Sequence, residues 1–387
     1  MTAARTSRQR VETALNHREP DRVPLSMTIT ELPYVHLREF VGLPEDTAMR
    51  PNRFGEVEPG IDLLLELGFD TASIKLRSPE VKIARPPLAD GTVFDEWGVG
   101  RQRIELDGGA FLLEVTHSPF EGLNPEDIDL DAYPWPDPGD PGRTAGLSQD
   151  ARNLYESASL ALIGRFGGTI MEQAAFLRGY QDWMIDLVLY PEFAKALMNR
   201  IADIQIALDE AGIREAGGYL SIFKASGEDL GMQDRPLFSQ AVWQQVLRPI
   251  LRRRWQAARR ALDRYDASHV KLMLHSDGAI REFIPDLIAD GIQVLDPIQT
   301  SCAGMEVVGL KHDFGPDLVF HGAIDAQYVL PFAAPEAVER ETIRVMRALG
   351  PGGGLILGPV HNVQPDVPPE NLVAMCRTVQ AHGQYPL

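Results

Sequence analysis

Short apolar runs that end abruptly in polar residues recur along the chain. The clearest is the run at residues 270–274, which leads directly into the polar sequence HSDG at residues 275–278. A short apolar run bounded by turn residues is typical of a buried strand. Because residues two apart on a strand point to the same side, we expect His275 and Asp277 to converge on one ion or one substrate atom.

Eight runs share this pattern, and helical patterns separate them. We predict strands at residues 23–29, 71–76, 160–166, 219–224, 270–275, 293–295, 318–320 and 354–357. Helices are predicted at residues 7–17, 61–67, 171–189, 239–265 (with a kink or restart at Pro249), 280–289 and 335–349. Such alternation indicates parallel strands joined by helical crossovers. Eight strands, none followed by a dinucleotide-binding glycine motif, favour an eight-stranded β/α (TIM-type) barrel over an open doubly wound sheet.

The pattern changes between about residues 81 and 118. Asp90-Gly91 and Asp107-Gly108-Gly109 are hairpin-turn signals between short alternating runs that are rich in β-branched and aromatic residues. Such runs are typical of antiparallel strands. We therefore predict an antiparallel β-hairpin insertion within one β/α barrel domain that spans residues 1–387.

Composition restricts the partners and the compartment. The 387 residues carry 37 basic and 55 acidic side chains, a net charge of −18, which repels nucleic acids and anionic membrane surfaces. The sequence contains neither a run of about 18 apolar residues nor the apolar segment of a signal peptide. Cys302 and Cys376 are too few for a disulfide framework. We therefore expect a soluble cytoplasmic protein with no nucleic-acid or membrane partner.

The polar residues at the strand ends share one expected location. In β/α barrels the active site forms where the strands end, and each polar cluster along this chain follows an apolar run. The alternative is that strand ends are polar only because loops are polar. Three clusters that carry a histidine within about 90 residues favour the functional interpretation.

Seven sequence motifs carry a family resemblance. They are LNHREPDRVP (15–24), DEWGV (95–99), GEDLGMQ (227–233), HSDG (275–278), LDPIQ (295–299), FHGAIDAQ (320–327) and LGPVHNVQPDVPPENLVAM (357–375). Together they resemble the uroporphyrinogen decarboxylase superfamily, and the last motif is the most specific. The resemblance implies a β/α barrel. The superfamily includes true porphyrinogen decarboxylases and zinc-dependent methyltransferases that work with corrinoid proteins.

Two departures from the family pattern distinguish its branches. True decarboxylases carry an arginine-containing RQAGRY-like segment after the first strand, whereas MTITELPY at residues 27–34 contains no arginine. The methyltransferase branch carries a His-x-Cys pair at one strand end and a cysteine after the last strand. His275, Asp277 and His361 match those positions here. The resemblance therefore implies a zinc site in altered form, and two histidines with one carboxylate also suit iron or another divalent ion.

The barrel geometry supports this metal set, but it leaves a structural alternative open. His361 follows the last predicted strand, so the shared rim brings it towards His275 and Asp277 and leaves an open face for substrate. In the alternative, Asp277 caps the following helix while the two histidines make hydrogen bonds within the mouth and the last loop.

Further rim residues are candidates for contact with substrate. Glu228 is predicted to be a general acid or base, with a metal-ligand role or a purely structural role as alternatives. Arg165 is predicted to pair with an anionic substrate group, or structurally with Glu172 or Glu228. The residues predicted to form hydrogen bonds with substrate are Gln299, His321, Asp325, Asn362 and Gln364.

The resemblance implies a methyltransferase that moves a methyl group between a small methylated substrate (ether, thiol or amine) and a corrinoid cofactor. The metal acts as a Lewis acid on the heteroatom. The chain lacks the Asp-x-His-x-x-Gly signature of corrinoid-carrying domains, so cobalamin is expected on a separate partner protein. A homodimer is a candidate assembly.

Two other functions stay open at this point. One is a metal-independent decarboxylase or lyase that acts on a small carboxylated substrate with rim carboxylates and histidines as acid and base. The other is a non-catalytic barrel that binds a ligand or docks another protein. An eight-stranded barrel hosts many chemistries, so the fold alone does not choose between them.

Overall fold

The computed structural model of the chain describes residues 5–52, 55–81, 85–105 and 111–387. The strands are β1 (Ile29–Thr30), β2 (Glu56–Val57), β3 (Thr71–Lys75), β4 (Val93–Phe94), β5 (Gly100–Glu105), β6 (Phe111–His117), β7 (Ala161–Arg165), β8 (Leu220–Gly227), β9 (Lys271–His275), β10 (Val294–Asp296), β11 (Val319–Ile324) and β12 (Leu355–Pro359). The helices are α1 (Ser7–Leu15), α2 (Glu31–Phe40), α3 (Ile61–Leu67), α4 (Leu147–Ser157), α5 (Met171–Arg178), α6 (Tyr180–Leu189), α7 (Pro191–Ala216), α8 (Gln240–Val242), α9 (Arg248–Arg264), α10 (Ile284–Ala289), α11 (Val307–Phe314), α12 (Val329–Phe332), α13 (Pro335–Leu349) and α14 (Pro369–His382).

Seven parallel strands form the central sheet, in the order β3-β7-β8-β9-β10-β11-β12. Every neighbouring pair is parallel, and helices connect the strands. The strands predicted from residue 71 onward are confirmed, apart from shifts of a few residues at their ends. Because all seven strands run the same way, their C-terminal ends lie at one edge of the sheet.

The predicted first strand, residues 23–29, is not a continuous strand of this sheet. Leu25 makes an isolated parallel bridge to Leu357 of β12. On the opposite side of Leu25, the Leu25 backbone N–H donates to the Asp70 carboxylate, and the Leu25 carbonyl accepts from the Asp70 backbone N–H. Both distances are 2.8 Å. The Asp70 side chain thus takes the place of a backbone acceptor from a neighbouring strand. Pro24, the residue before Leu25, has no N–H to donate. In the described residues the sheet therefore has seven strands rather than the predicted eight, and this segment lies between its two edge strands.

Asp70 also attaches the N-terminal helix to the sheet. Its fully buried carboxylate accepts from Arg10 at 2.6 Å and from Arg22 at 2.9 Å. Two guanidinium groups compensate a carboxylate that has lost its contact with water. This network joins α1, the segment around Leu25 and the residue that precedes β3.

A small hydrophobic cluster fills the space that the parallel strands enclose. It consists of Val11 and Leu15 of α1 together with Ala161, Ile163, Ile222, Met273, Val294, Val319 and Ile356 of six strands. Backbone hydrogen bonds from Arg8 to Ser159 and from Gly354 to Ala14 anchor α1 just before β7 and β12 begin. The helix therefore covers the N-terminal end of the sheet and leaves the C-terminal end for a site.

Several helices differ from their predicted extents. The predicted helix 171–189 is divided into α5 and α6 by Gly179, which has φ 83°. Before α9, the segment Trp243–Leu247 forms a π-helical turn, so the irregularity predicted at Pro249 is present one turn earlier. The 26-residue helix α7 was not predicted. Within the described ranges, no helix combines the length and the apolar composition that a bilayer crossing needs.

The insertion is an antiparallel sheet of three strands, β4, β5 and β6. The prediction of antiparallel structure is therefore confirmed, and β4 adds one strand to the predicted hairpin. Gly91, in the first predicted turn, has φ 87°, a conformation that glycine adopts without strain. The second predicted turn, at Asp107-Gly108-Gly109, lies outside the described residues.

The position of Leu15 in the inner cluster gives a stability prediction. Leu15→Ala should lower the free energy of unfolding by about 2–5 kcal/mol, because it leaves a cavity at the covered end of the sheet. Leu65→Ala is the matched control, since Leu65 is 51% exposed, and it should change this free energy by less than about 0.5 kcal/mol. Urea denaturation of both variants and the wild type measures the difference. Equal effects at the two positions would show that α1 does not belong to the core.

Candidate active site

Two imidazoles and one carboxylate meet where β9 and β12 end. His275 is the last residue of β9, Asp277 lies two residues further on, and His361 is two residues past β12. His275 Nε2 lies 3.2 Å from Asp277 Oδ2, and His361 Nε2 lies 3.9 Å from the same oxygen. One potential ligand atom from each residue lies within 4.8 Å of the others. The structure therefore brings together the three residues of the predicted metal set.

One of these distances fits the spacing of donor atoms in a tetrahedral divalent-ion site, and the other is longer. With metal–ligand bonds of about 2.0–2.1 Å, neighbouring ligand atoms in a tetrahedral site lie about 3.3 Å apart. The His275–Asp277 separation of 3.2 Å matches this spacing. His361 Nε2 is further from Asp277, at 3.9 Å, and the His361 side chain is 46% exposed. Three such ligands leave one position open for substrate.

The backbone near His361 is strained in a way that sets its position. His361 has φ 63°, a left-handed conformation that is unfavourable for a residue other than glycine. Hydrogen bonds hold the chain on both sides of it, from the Val360 N–H to Ile324 and from the Val363 N–H to Thr28. Strain of this kind persists where the surroundings over-determine the backbone, and it is common at functional sites.

The helix-capping alternative for Asp277 does not hold. Among the described residues, no side-chain cap is found at the N-cap positions of the 3-10 turn Arg281–Phe283 and of α10, and the Asp277 carboxylate lies 3.2 Å from His275 instead. Burial alone would raise the pKa of Asp277, but the neighbouring His275 and His361 lower it. Asp277 is therefore an ionised carboxylate between two imidazoles.

The two imidazoles differ in charge. Burial alone would lower the pKa of His275, but its hydrogen bonds to Asp277 and Asp296 raise it to about 9. Burial lowers the pKa of His361, so that ring is neutral at pH 7. Neutral imidazole is the form that binds metals. At His275 a divalent ion would take the place of the Nε2 proton, while the Nδ1 hydrogen bond to Asp296 is retained.

Asp296 connects a third imidazole to this group. It is the last residue of β10, and its two oxygens accept from Nδ1 of His275 at 2.8 Å and from Nδ1 of His321 at 2.7 Å. Burial alone would raise the pKa of Asp296, but His321 and His275 hold it well below its usual range. The Lys224 ammonium lies 3.6 Å away, and burial lowers the pKa of this lysine.

A cavity of about 220 Å³ lies beside these groups. Its polar wall includes Arg165, Lys224, His275, Asp296, His321 and Asn362, and its apolar wall includes Ile61, Leu64, Ile163 and Met273. Pockets for drug-sized ligands are larger, about 300–1,000 Å³. The cavity therefore suits a small molecule with one polar end.

Arg165, predicted to bind a substrate anion, already pairs with a carboxylate of this chain. It is the last residue of β7, and its guanidinium donates to Glu56 of β2, with Nη2 at 3.1 Å from Oε2. Lys75 lies 3.4 Å from the same carboxylate. Burial alone would raise the pKa of Glu56, but Arg165 and Lys75 lower it to about 2. The structural partner of Arg165 is therefore Glu56 and neither Glu172 nor Glu228.

Glu228, predicted as the general acid or base, lies away from the cavity wall. It is fully buried, and its carboxylate accepts from the backbone N–H groups of Ile170 at 2.7 Å and Met171 at 2.8 Å, where α5 begins. Burial raises its pKa to about 7 in spite of these hydrogen bonds. In this structure its carboxylate caps α5.

Of the remaining predicted residues, two line the cavity and the others lie elsewhere. Asn362 lines the cavity together with His321. Gln299 instead accepts from the Gly278 N–H at 2.8 Å, and Asp325 accepts from backbone N–H groups where α12 begins. Gln364 is exposed on the last loop.

Sequence reasoning missed three charged residues of the site. Asp296 and Lys224 each stand at the end of an apolar run, the same signal that selected the histidines, so that signal was sufficient to find them. Glu56 belongs to a two-residue strand and carries no comparable signal.

Comparison with known proteins identifies the family. Residues 122–382, about two thirds of the chain, match the sequence profile described as Uroporphyrinogen decarboxylase (URO-D). The chain belongs to the URO-D family. The resemblance inferred from the seven motifs is therefore confirmed.

The relatives of this URO-D protein and a solved structure with a similar fold carry different descriptions. It is 26% identical over 295 residues to the uroporphyrinogen decarboxylase of Alkalilimnicola ehrlichii, over 74% of this chain and 73% of the relative. It is also 26% identical over 195 residues to that of Magnetococcus marinus, over 50% and 49% of the two chains. Among solved structures, a methyltransferase from Methanosarcina mazei matches with a TM-score of 0.65 and 16% identity, over 97% of this chain and 98% of that chain. That structural likeness shows a shared fold.

The Glu56 ion pair gives a pH-dependent stability prediction. Glu56→Gln should lower the free energy of unfolding at pH 7 by about 3–5 kcal/mol, because it removes the buried charge that pairs with Arg165 and Lys75 and leaves Arg165 only the more distant Glu58, at 3.9 Å, among the described residues. The pKa of Glu56 in the folded protein is about 2, below the ordinary 4.5. The contribution of ionised Glu56 to the free energy of unfolding is therefore complete above pH 4.5, and it is lost as the pH falls from 4.5 towards 2.

Urea unfolding of wild type and variant between pH 7 and pH 3 tests the predicted pH dependence. The difference in free energy should shrink with falling pH. Glu192→Gln is the control, because Glu192 is exposed and its ion pair with Lys195 lies at the surface, where such a pair is worth less than about 1 kcal/mol. A difference that stays constant across this pH range would contradict the assignment.

Proposed function

We propose that this chain is a metal-dependent methyltransferase, which moves a methyl group between a small substrate and a corrinoid cofactor on a partner protein. The observation that carries the proposal is the cluster of His275, Asp277 and His361, whose potential ligand atoms lie within 4.8 Å of one another at the strand ends. Two imidazoles and a carboxylate can hold zinc or another divalent ion. Membership of the URO-D family is compatible with this chemistry.

A divalent ion held there supplies Lewis-acid activation of the heteroatom that gives or receives the methyl group. The chain's own residues set the geometry around it. Asp296 orients the His275 ring through Nδ1, which directs Nε2 towards Asp277. Second-shell carboxylates of this kind fix ring orientation and raise ligand basicity.

The cavity supports a small substrate such as an ether, a thiol or an amine. Its volume of about 220 Å³ is small for a tetrapyrrole with several carboxylates. One of its two cations is also engaged, because Arg165 pairs with Glu56. These features disfavour the porphyrinogen reaction for this chain. We place the corrinoid on a separate protein, as the family resemblance implies for the methyltransferase branch.

A second candidate is metal-independent decarboxylation of a small carboxylic acid. The observation that favours it is Lys224, a buried lysine in the cavity wall whose distance of 3.6 Å from Asp296 is too long for a hydrogen bond. Its ammonium can therefore donate a hydrogen bond to a substrate carboxylate as an additional partner. This reaction would continue after treatment with a chelator, whereas the proposed methyl transfer would stop.

Metal analysis tests the proposed site directly. Purified wild type dialysed against zinc should retain one ion per chain, whereas His275→Ala and His361→Ala should each lose at least about 10-fold in affinity, because each removes a ligand. His312→Ala is the matched control, since His312 is exposed on α11 and should leave binding unchanged. Unchanged zinc stoichiometry and affinity in both site variants would refute the metal assignment.

A further inference from the structure

Four consecutive backbone N–H groups hold the loop that carries the carboxylate of the candidate metal site. This loop, residues 276–279, directly follows β9. Two of the four N–H groups donate to backbone carbonyls, Ser276 to Asp296 and Ala279 to Met232, both at 2.8 Å. The loop is therefore attached to the end of β10 on one side and to the segment that follows β8 on the other.

The other two N–H groups of the loop donate to side chains. The Asp277 N–H lies 3.3 Å from Oδ1 of Asp229, in the segment after β8. The Gly278 N–H lies 2.8 Å from Oε1 of Gln299, which follows β10. A separation of 2.8 Å is well within the usual range for an N–H···O bond, whereas 3.3 Å is beyond it. Gln299 therefore makes the stronger of the two side-chain contacts with the loop.

Two glycines bring the loop unusually close to the segment after β8. Gly278 has φ 91°, and a Cβ atom on it would overlap the backbone of Gly231. A Cβ atom on Gly231 would in turn lie 2.6 Å from the Ala279 nitrogen. Gly278 is thus placed between the Gly231 backbone on the β8 side and the Gln299 amide on the β10 side.

The Gln299 hydrogen bond bears directly on the Asp277 side chain. The Gly278 N–H belongs to the planar peptide group that starts at the Asp277 Cα. A bond that fixes this plane also fixes the direction of the Asp277 Cα–Cβ bond, and hence the carboxylate that lies 3.2 Å from His275 Nε2. Groups of a metal site must be held within about 0.5 Å of their productive positions. Small movements of this peptide therefore matter for metal binding.

We propose that Gln299 is a positioning residue of the metal site, whose amide oxygen holds the Asp277–Gly278 peptide so that the Asp277 carboxylate faces the two imidazoles. This inference rests on the proposed function, because it concerns the same metal site. It gives Gln299 a role other than the substrate contact that the sequence predicted. Asp229 and Gly231 support the loop from the opposite side.

Zinc affinity of two Gln299 variants tests the proposal. Methionine has nearly the length of glutamine, but its sulfur is only a weak acceptor. Gln299→Met should therefore bind zinc at least about 10-fold more weakly than the wild type, as found when residues that orient a metal ligand are lost. Gln299→Glu keeps an oxygen acceptor and should bind zinc at least as tightly as the wild type. Competition with a zinc-binding dye measures each affinity.

Gln181→Met is the matched control, because Gln181 is exposed on α6 and the same replacement there should leave zinc affinity unchanged.

Hydrogen exchange of the metal-free protein gives a second, independent measurement. The Gly278 N–H should exchange about 2–10-fold faster in Gln299→Met than in the wild type, because it loses one hydrogen bond. The exchange rate should stay at the wild-type value in Gln299→Glu and in the control. The amides of β9 should keep their protection in every variant, which separates a change in the loop from a loss of the fold.

The outcomes separate this inference from the proposed function. Wild type that binds no zinc would refute the metal site, and the role of Gln299 with it. Wild type that binds zinc, with equal affinity in Gln299→Met, would overturn only the positioning role. Equal losses of affinity in Gln299→Met and Gln299→Glu would overturn it too, because the oxygen acceptor would not be the cause. An unchanged Gly278 exchange rate in Gln299→Met would also overturn it, with or without zinc.

Discussion

The candidate site depends on one ionised carboxylate, Asp296, which accepts hydrogen bonds from two imidazoles. These bonds orient His275 towards Asp277, and Nε2 of His321 has no hydrogen-bond partner within the part of the chain that the structure describes. The arrangement requires three adjacent parallel strands in a particular register, in which Asp296 of β10 lies directly opposite His275 of β9. A shift of one residue would turn the Asp296 side chain to the other face of the sheet and separate the three groups.

The same fold explains why the site is open at only one end. At the N-terminal end of the sheet, α1 inserts Val11 and Leu15 among the inward-facing strand residues. Buried Asp70 holds that helix through Arg10. The C-terminal end carries loops, and their polar residues meet around the cavity. Parallel strands place all these strand ends at one edge, which is why residues distant in sequence, such as His275 and His361, become neighbours.

Periodicity predicted most of the framework because each inner strand is buried on both faces and reads as a continuous apolar run. It failed at residues 23–29, where the Asp70 side chain takes the place of a ladder partner. It also failed at α7, a helix that follows α6 with only Tyr190 between them. The first feature has no local sequence signature, since it depends on a contact with the distant Asp70. Helix α7 does have one, because a proline begins it and apolar residues such as Ala194, Leu197 and Ile201 recur at helical spacing, so this helix could have been predicted.

The strand-end signal located candidate residues but could not assign their roles. Glu228, Asp296 and Asp325 all follow apolar runs, yet Glu228 and Asp325 bind backbone N–H groups of helices whereas Asp296 binds two histidines. A change of side-chain direction over a few ångströms decides between these outcomes, and hydrophobic periodicity does not encode it.

The sequence by itself determined the alternation of strands and helices, the family, and the chemistry available at the strand ends. It did so because burial and turn formation leave periodic and compositional traces in neighbouring residues. Only the tertiary structure decided that Glu56 neutralises Arg165, that Asp296 joins His275 to His321, and that the cavity is small. Those features arise from distances between residues on different strands, which strand register and side-chain packing set together.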